Sequence, residues 1–441
     1  MESLLAEEYL LPIVISVISG CVVFVGVVWC VVGGAGHVKA SSPSPEPDKT
    51  NEEDEPPEEK SVEQEKKPKK VAKQFGRKPS YSHALLAANL KGHTGQIFDL
   101  DFDPRGKYLL SCSEDRSVRL WLPKTFNDKA VKFVNVKVEL DHGTHCCMSP
   151  DGKAFILTQE SNQTVNIYKL TKKEDGKILG QLTSEFPPKQ HNFPVIAVGI
   201  ASTGKFIMTC CKEKFLVWNL KGDILASVVT HMNPNNFATV SPCSRFVVCT
   251  GFTPDVKLWN VQFTKAGDYH QVTKAMGLTG HRNCVYHCSL SADSTRVATV
   301  SKDGSWKLWN IDVEFQRGEE PKLLLSQNLP VKGESQIALS PDARTTAVAV
   351  ERSIYLYGCS TGALLETMID CHEATISSMC WSPDSEHLCS SGGKVIHVWH
   401  NQVALEETLR DLKKQLDSAT SEAHKRRLLE KIKETESQAN R

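Results

Sequence analysis

One stretch of sequence recurs along the chain, and its clearest copy spans residues 280–310. This copy contains three short runs, 284–289, 296–300 and 305–309, that are rich in β-branched or aromatic residues and are separated by turn-forming residues. The pattern predicts a small antiparallel meander. Because a single meander buries too little apolar surface to be stable, it requires neighbours of its own kind.

The spacing of histidine and tryptophan indicates that such neighbours exist. His93 precedes Trp121 by 28 positions, and His281 precedes Trp309 by the same 28. Six units have a histidine 26 to 28 positions before their closing aromatic residue, and one has the aromatic residue alone. The closing residues are Trp121, Tyr168, Trp218, Trp259, Trp309, Tyr357 and Trp399, which lie 41 to 50 positions apart. Seven such meanders predict a propeller, because radial packing covers the faces of every sheet.

With Gly-His near the start of a unit and Trp-Asn near its end, residues 80–400 resemble the WD-repeat β-propellers. In that family a His, a Ser or Thr, an Asp and the Trp form a hydrogen-bonded chain that braces each blade. Two units match throughout: the first has His93, Ser111, Asp115 and Trp121, and the fifth has His281, Thr299, Asp303 and Trp309. The resemblance implies an all-β, seven-bladed propeller at 81–400.

The other units depart from the family pattern. Met208 and Cys389 stand at the expected serine position of the third and seventh units, and Gly393 replaces the seventh aspartate. In this family the N-terminal strand completes the last blade. The resemblance therefore implies that residues 81–90 pair beside residues 395–399, which would close the ring and remove an open sheet edge.

Composition agrees with a globular domain. The chain has 441 residues, of which 40% are hydrophobic and 24% are charged. A propeller of this length is one closed unit, although it exceeds the usual size of a domain. The formal net charge is zero, so no overall field favours nucleic acid or acidic partners.

An uncharged apolar stretch lies near the N-terminus. After a short acidic segment at 1–9, residues 10–32 carry no charge, which at about 1.5 Å per residue spans a hydrocarbon core of about 30 Å. We predict a transmembrane signal-anchor helix at 10–36. The alternatives are a buried core helix and a cleaved signal peptide, but a signal peptide has a basic start and a shorter apolar run.

Flanking charges and cysteines predict the orientation. Lys39 and Lys49 follow the apolar stretch and no Lys or Arg precedes it, which places the propeller in the cytosol. The 15 cysteines include adjacent pairs in predicted strands, a pattern typical of free thiols in a reducing compartment. The sequon at Asn162 would be glycosylated only in the lumen. We expect a single-pass protein of the endoplasmic reticulum membrane, since no secretory or lipidation signal directs it elsewhere.

Residues 37–80 form a Pro-rich, highly charged segment that is predicted to be a disordered linker. Its basic block consists of Lys66, Lys67, Lys69, Lys70, Lys73, Arg77 and Lys78. The block is interpreted as a solvated tether. Contact with RNA or with anionic lipid is the alternative, and nuclear import disagrees with a membrane anchor.

Residues 401–441 are predicted to form a helical tail. Apolar residues at 405, 409, 412, 416, 419 and 423 follow the alternating spacing of one helical stripe. Leu428, Leu429 and Ile432 break that register, and residues 417–421 could cap a second helix. The tail either packs back on the propeller or stands free in solvent, or else it forms a short coiled coil with a partner or with a second copy.

No catalytic, cofactor or metal site is predicted. The His, Ser and Asp of the matching units have the residue types of a hydrolytic triad, but their placement matches the bracing chain. Two groups of residues raise the question of zinc: Cys284, His287 and Cys288, and His142, His145 and Cys146. Strand alternation separates His287 from the two cysteines, and a fourth ligand is not evident.

The remaining class is a binding module, because propellers present rigid rims of loops. The family's usual partner-binding turns carry Glu114, Arg116, Lys212, Arg282, Asn283 and Lys302 here. Each is otherwise an ordinary solvated charge or amide. We expect a non-catalytic scaffold that assembles proteins at the membrane, in signalling or translation control. The alternative is an RNA-binding adaptor that uses the basic block and the rim.

Overall fold

The computed structural model describes residues 81–439, except residues 129, 140, 162, 175–177 and 420. The predicted anchor at 10–36, the linker at 37–80 with its basic block, and Asn162 lie outside the described residues. Within the part that is described, no helix is both long enough and apolar enough to cross a membrane.

Seven four-stranded antiparallel sheets form the body of the protein, as the sequence predicts. Blade 1 contains β2 (Ile97–Phe102), β3 (Leu109–Ser113), β4 (Ser117–Trp121) and β5 (Phe133–Lys137), and blade 2 contains β6 (Gly143–Met148), β7 (Ala154–Gln159), β8 (Val165–Lys172) and β9 (Ile178–Glu185). Blade 3 contains β10 (Val195–Ile200), β11 (Ile207–Cys211), β12 (Lys214–Trp218) and β13 (Ile224–Val229), and blade 4 contains β14 (Asn235–Val240), β15 (Phe246–Gly251), β16 (Val256–Phe263) and β17 (Tyr269–Leu278). Blade 5 contains β18 (Val285–Leu290), β19 (Arg296–Ser301), β20 (Ser305–Asn310) and β21 (Lys322–Asn328), and blade 6 contains β22 (Ser335–Leu339), β23 (Thr345–Val350), β24 (Ser353–Gly358) and β25 (Leu364–Met368).

Blade 7 combines the two ends of the domain. It contains β26 (Ile376–Trp381), β27 (His387–Gly392) and β28 (Val395–His400), and β1 (Leu86–Lys91) is its fourth strand. β1 pairs antiparallel with β28, with Leu90 opposite Ile396 and Lys91 opposite Val395. The predicted closure of the ring by the N-terminal strand is confirmed, and β28 has no open edge as a result.

The second strands of the blades are the most deeply buried, and they carry small or hydroxyl-bearing residues among apolar ones. Every residue of β3, β11, β15 and β23 is buried, because neighbouring blades cover both faces of the sheet. The outermost strands expose much of their surface, as in β21. The core is therefore a series of apolar clusters between adjacent blades, such as the cluster that joins Phe215 of blade 3 to Val247 of blade 4.

Polar side chains on the inner strands join several pairs of neighbouring blades. Asp101 Oδ2 of blade 1 accepts a hydrogen bond of 2.7 Å from the backbone N–H of Met148 in blade 2. Asn236 Nδ2 of blade 4 donates to the carbonyl oxygen of Val285 in blade 5 at 2.8 Å. These bonds satisfy polar groups that the radial packing would otherwise bury without partners.

Six of the seven inner strands have a β-bulge at their first residues, and β22 is regular. The residues without a direct partner at these bulges are Phe98, Thr144, Ile196, Asn236, Tyr286 and Ser377. A bulge bends its strand and redirects a side chain. The bulges therefore set the direction of a ring of side chains where the inner strands begin.

Two helices follow the last blade: α1 (Gln402–Ser418) and α2 (Glu422–Ala439). The Asn401 side chain caps α1 by accepting a hydrogen bond from the N–H of Ala404. The two helices pack on each other, and Lys413 Nζ of α1 pairs with Glu436 Oε1 of α2 at 3.3 Å. Ala419 has extended backbone, so the apolar stripe does not continue on one helix through residue 423. The second helix predicted to follow residues 417–421 is confirmed.

Of the alternatives for the tail, the structure has α1 packed against the propeller. Val403 is buried with Trp399 in the cluster that includes blades 6 and 7. Glu407 is only 1% exposed, and its carboxylate accepts hydrogen bonds from the Ser360 hydroxyl and from Arg410 Nη1 at 2.5 Å. A buried carboxylate needs such partners, because an unpaired one costs several kcal/mol, on the order of 3–5.

Candidate functional site

All loops that lead into inner strands, and all turns between second and third strands, lie on one face of the ring. This follows because the strands of each blade alternate in direction. We call this side the upper face. The bracing histidines precede the inner strands and the bracing aspartates follow the second strands, so both groups lie at the upper face.

The bracing chain of blade 1 is complete. Trp121 Nε1 donates to Ser111 Oγ at 2.9 Å, and Ser111 Oγ lies 2.8 Å from His93 Nε2. His93 Nδ1 lies 2.9 Å from Asp115 Oδ2. One assignment of protons satisfies every contact: the serine hydroxyl donates to Nε2, and the imidazole Nδ1–H donates to the carboxylate.

Blade 5 repeats this chain. Trp309 Nε1 donates to Thr299 Oγ1 at 3.0 Å, His281 Nε2 lies 2.8 Å from the same oxygen, and His281 Nδ1 lies 3.2 Å from Asp303 Oδ2. Both predicted bracing sets are therefore brought together by the structure. Their role is to connect the turn at the upper face to the middle of the sheet.

The electrostatics of these chains favour a neutral imidazole beside an ionised carboxylate. Burial would raise the pKa of Asp115, but hydrogen bonds from Ser117, the Thr94 N–H and His93 outweigh it and lower the pKa to about 2. Burial lowers the pKa of His93, against the opposing effect of Asp115. The pKa of Asp303 is likewise lowered to about 2 by its hydrogen bonds, which outweigh burial.

The prediction for blade 3 is wrong by one residue. Thr209, not Met208, occupies the bracing position: His191 Nε2 lies 2.7 Å from Thr209 Oγ1, and Trp218 Nε1 donates to it at 2.8 Å. The turn between β11 and β12 is one residue shorter than in blade 1, so the hydroxyl lies 9 rather than 10 positions before the tryptophan. Met208 is fully buried in the apolar cluster.

Blade 7 has the same correction. Ser390, not Cys389, accepts from Trp399 Nε1 at 2.9 Å and lies 2.7 Å from His372 Nε2. Gly393, with φ of 64°, helps to form the shortened turn. Among the described residues, the chains of blades 3 and 7 end at the histidine without a carboxylate, and burial lowers the pKa of His372 to about 3.

The histidines of units two and four do not brace their blades. His142 is part of the surface, where its Nε2 lies 2.9 Å from Glu160 Oε2 and its Nδ1 lies 3.3 Å from Asp141 Oδ1. His231 is exposed. Although these two histidines have the expected spacing from their closing aromatic residues, they do not take part in bracing chains.

The bracing residues cannot perform hydrolysis on a bound substrate. Ser111 has no exposed surface, and its oxygen is held between Trp121 and His93. A nucleophile must be able to reach the carbonyl that it attacks. The residues of a catalytic triad therefore serve here as an internal brace.

One group of side chains has the composition of a metal site. Single ligand atoms of Asp384, Glu386 and His387 lie within 4.8 Å of one another at a turn of blade 7. Asp384 accepts hydrogen bonds from the Ser382 hydroxyl and from the Glu386 N–H. The same pairing occurs in blade 5, where Ser291 Oγ donates to Asp293 at 2.5 Å. The structure of the turn therefore accounts for the position of the Asp384 carboxylate without a metal ion.

All six predicted rim residues lie on the upper face and are exposed: Glu114, Arg116, Lys212, Arg282, Asn283 and Lys302. Their side chains form few internal contacts. Glu114 Oε2 accepts from the N–H of Gln96 at 3.3 Å, and Asn283 Oδ1 accepts from the N–H of Cys284. The structure thus gathers them on one surface, and their role in partner binding stays a prediction.

Two exposed aromatic residues on the same face were not anticipated from the sequence. Phe193 in the loop before β10 is 44% exposed, and Phe252 in the turn after β15 is 65% exposed. Aromatic residues are enriched at protein interfaces, where one anchor contributes much of the affinity. The sequence does hold one indication of this exposure: Phe252 is an aromatic residue within the turn sequence Gly-Phe-Thr-Pro.

Seven four-stranded blades, closed by the N-terminal strand and braced by His–Ser/Thr–Trp chains, define a WD-repeat propeller. The family model described as WD domain, G-beta repeat, matches residues 85–121, 272–310 and 362–400. Transducin beta-like protein 2 of Mus musculus is 39% identical over 370 residues, covering 83% of this chain and 84% of the relative. The protein of the same name from Homo sapiens is 38% identical over 367 residues, covering 82% of each. The chain belongs to the transducin beta-like protein 2 family.

A more distant similarity is to part of a much longer protein. Apoptotic protease-activating factor 1 of Homo sapiens is 25% identical over 363 residues, which cover 73% of this chain and 27% of that protein. WD-repeat propellers generally serve as non-catalytic scaffolds for protein interactions. The fold and its family thus define a protein-interaction scaffold.

Proposed function

We propose that this protein is a membrane-anchored scaffold whose upper face binds and assembles protein partners at the endoplasmic reticulum, in signalling or translation control. The observation that carries the proposal is the composition of that face. It presents exposed cationic side chains together with Phe193 and Phe252 on a closed, rigid ring. Rigid presentation lowers the entropy cost of binding.

The anchoring part of the proposal comes from the sequence. The uncharged stretch at 10–32 is long enough to span a bilayer, and the lysines that follow it favour a cytosolic propeller. Every cysteine of the described residues is a free thiol, which agrees with a reducing compartment. Proximity labelling from the C-terminus in intact cells should mark cytosolic proteins near the endoplasmic reticulum; labelling of lumenal proteins would contradict the proposed orientation.

A matched pair of variants tests the upper face. Lys212 lies in the turn between β11 and β12 on the upper face, and Lys221 lies in the turn between β12 and β13 on the opposite face of the same blade. Both are exposed. We expect Lys212→Glu and Phe252→Ala to reduce the labelling of partners several-fold, while Lys221→Glu leaves it unchanged. If both lysine variants reduced partner labelling equally, partner binding would not be specific to the upper face, and that part of the proposal would be wrong.

RNA binding is the second candidate, and the basic block from Lys66 to Lys78 is the observation that favours it. Binding through phosphates releases counterions and so weakens steeply with salt. RNA capture by the full-length protein that falls with salt, and that is lost when the seven basic residues are replaced by glutamine, would favour this candidate. Partner capture that is insensitive to salt and needs the upper face would favour the scaffold.

A further inference from the structure

A pocket of about 370 Å³ lies at the upper face where four inner strands begin. Its walls come from blades 1, 2, 3 and 7, including Phe98, Thr144, His145, Glu160 and Ser377. Because these strands surround the axis of the ring, the pocket lies at the mouth of the central channel. It is separate from the six charged and amide residues of the rim.

The β-bulges shape this pocket. Phe98, Thr144 and Ser377 are the unpaired residues of the bulges in β2, β6 and β26, and all three line the pocket. Ser377 Oγ also donates to the carbonyl oxygen of Ile97 at 2.7 Å, which holds blade 7 against blade 1. The wall is therefore fixed by backbone geometry and by contacts between blades, so the pocket is formed before any partner binds.

Carboxylates dominate the charge around the pocket. The Glu160 side chain is 59% exposed, and its Oε2 lies 2.9 Å from His142 Nε2. Deeper in the channel, Asp99 Oδ2 lies 3.6 Å from His145 Nδ1. Asp141 adds a third carboxylate beside His142. Among the described residues that line the pocket there is no lysine or arginine, and the one basic side chain, His145, faces the Asp99 carboxylate.

An aromatic surface adjoins these carboxylates. The Phe98 ring stacks on the His142 imidazole, with the ring centroids 5.4 Å apart and an angle of 28° between their planes. His142 in turn faces Glu160, which keeps the aromatic ring and the carboxylate in one fixed arrangement. Aromatic rings attract cations, and a planar cation can also stack on them.

We propose that this pocket receives the side chain of an arginine from an exposed segment of a partner protein. The inference rests on the proposed function of the upper face and adds the chemistry that the partner must supply. A guanidinium group is planar, stacks on aromatic rings and donates two hydrogen bonds at once to a carboxylate. Phe98 and Glu160 supply those two features within one pocket, and the Thr144 and Ser377 hydroxyls add further acceptors.

The test uses the full-length protein and three peptides, Gly-Gly-X-Gly-Gly with blocked ends, in which X is arginine, citrulline or lysine. Citrulline has nearly the shape of arginine without its charge. We expect the arginine peptide to bind most tightly in surface plasmon resonance, the lysine peptide more weakly, and the citrulline peptide at least about tenfold more weakly, the loss typical for a charged hydrogen bond. Equal binding of arginine and citrulline peptides, or no binding of the arginine peptide, would overturn the proposal.

Two variants locate the binding to this pocket. We expect Glu160→Gln to weaken the arginine peptide at least about tenfold, because it removes the charge that pairs with the guanidinium. Glu373→Gln is the matched control, since Glu373 is exposed in the loop before β26 on the same face but does not line the pocket. Similar losses in both variants would show that the peptide responds to overall charge and would exclude a defined pocket.

The partner-labelling experiment separates this proposal from the scaffold function. If Lys212→Glu reduces partner labelling while the arginine peptide does not bind, the scaffold stands and the pocket proposal fails. If Glu160→Gln reduces both peptide binding and partner labelling, the pocket is part of the partner-binding surface. If neither Lys212→Glu nor Phe252→Ala changes partner labelling and the arginine peptide still binds, the pocket proposal stands and the proposed role of the rim residues fails.

Discussion

At the residue scale, buried hydroxyl groups hold the bracing chains together. Thr209 Oγ1 accepts a hydrogen bond from Trp218 Nε1 and lies 2.7 Å from His191 Nε2. One hydroxyl in the middle of a fully buried strand therefore has two hydrogen-bond partners. Met208, the preceding residue, packs among apolar side chains. Two adjacent residues in one strand therefore have opposite chemical roles.

We expect Thr209→Val to destabilise the propeller by about 1–3 kcal/mol, because it keeps the shape but leaves a buried indole N–H without its acceptor. Met208→Leu conserves volume and should cost less than about 1.5 kcal/mol. The free energy of unfolding in urea measures both. If Met208→Leu proved the more damaging of the two, the assignment of the chain in blade 3 would be wrong.

The complete bracing chains of blades 1 and 5 are predictable from the sequence because their residues keep the full family spacing. His93, Asp115 and Trp121 could be aligned by counting alone. The hydroxyls of blades 3 and 7 are misplaced when they are counted backwards from the tryptophan, because Met208 and Cys389 lie 10 positions before it, as Ser111 does in blade 1. A shift of one position moves a side chain to the other face of a strand. The separation of 18 positions between the histidine and the hydroxyl is the same in blades 1, 3 and 7, so counting forward from the histidine identifies Thr209 and Ser390.

At the scale of single elements, α1 depends on the absence of a side chain in the blade beneath it. Gly358 ends β24, and a Cβ atom built there would collide with the Glu407 carboxylate of α1. Arg344 Nη1 of the propeller also donates to Thr408 Oγ1 of α1 at 2.6 Å. The helix is thus fitted to one site on blade 6.

We expect Gly358→Ala to loosen α1 from the propeller without unfolding the blades, because the displaced group is on the helix. Hydrogen exchange of the α1 amides should become faster than in the wild-type protein. Gly277→Ala is the control, since the nearest atom to a Cβ at that position lies 3.8 Å away. Unchanged protection of α1 in Gly358→Ala would show that the collision is relieved without moving the helix.

The stripe pattern of the tail predicted helix but not its packing. Leu428 and Ile432 broke the expected register, and both are buried in the structure. The burial of Glu407 could not be predicted, because a charged residue facing away from the stripe normally faces solvent. Only the hydroxyl and guanidinium partners around it explain why the carboxylate is inside.

At the scale of the whole molecule, the seven blades form a closed ring in which β1 completes blade 7. The number of blades and the closure of the ring could both be predicted, because the seven closing aromatic residues give the number and the family pattern implies the closure. The exposure of Phe193 and Phe252 was not, since it depends on how loops from different blades are placed around the axis.

Removal of β1 should destabilise the whole ring rather than one blade. A chain that begins at Gly92 lacks the strand that covers β28, and it also loses the buried Leu85 and Leu90. We expect one cooperative thermal transition, several degrees below that of a chain that begins at Ser80. The same melting temperature for both chains would contradict the role given to β1.

The pairing of Leu90 with Ile396 also has a consequence for synthesis. Ribosomes release the N-terminal segment of a protein first, so β1 emerges long before the strand that it pairs with. Contacts between such distant positions form slowly, and unpaired strands are prone to aggregate in the meantime. The first strand of this propeller therefore stays unpaired until almost the entire domain has been translated.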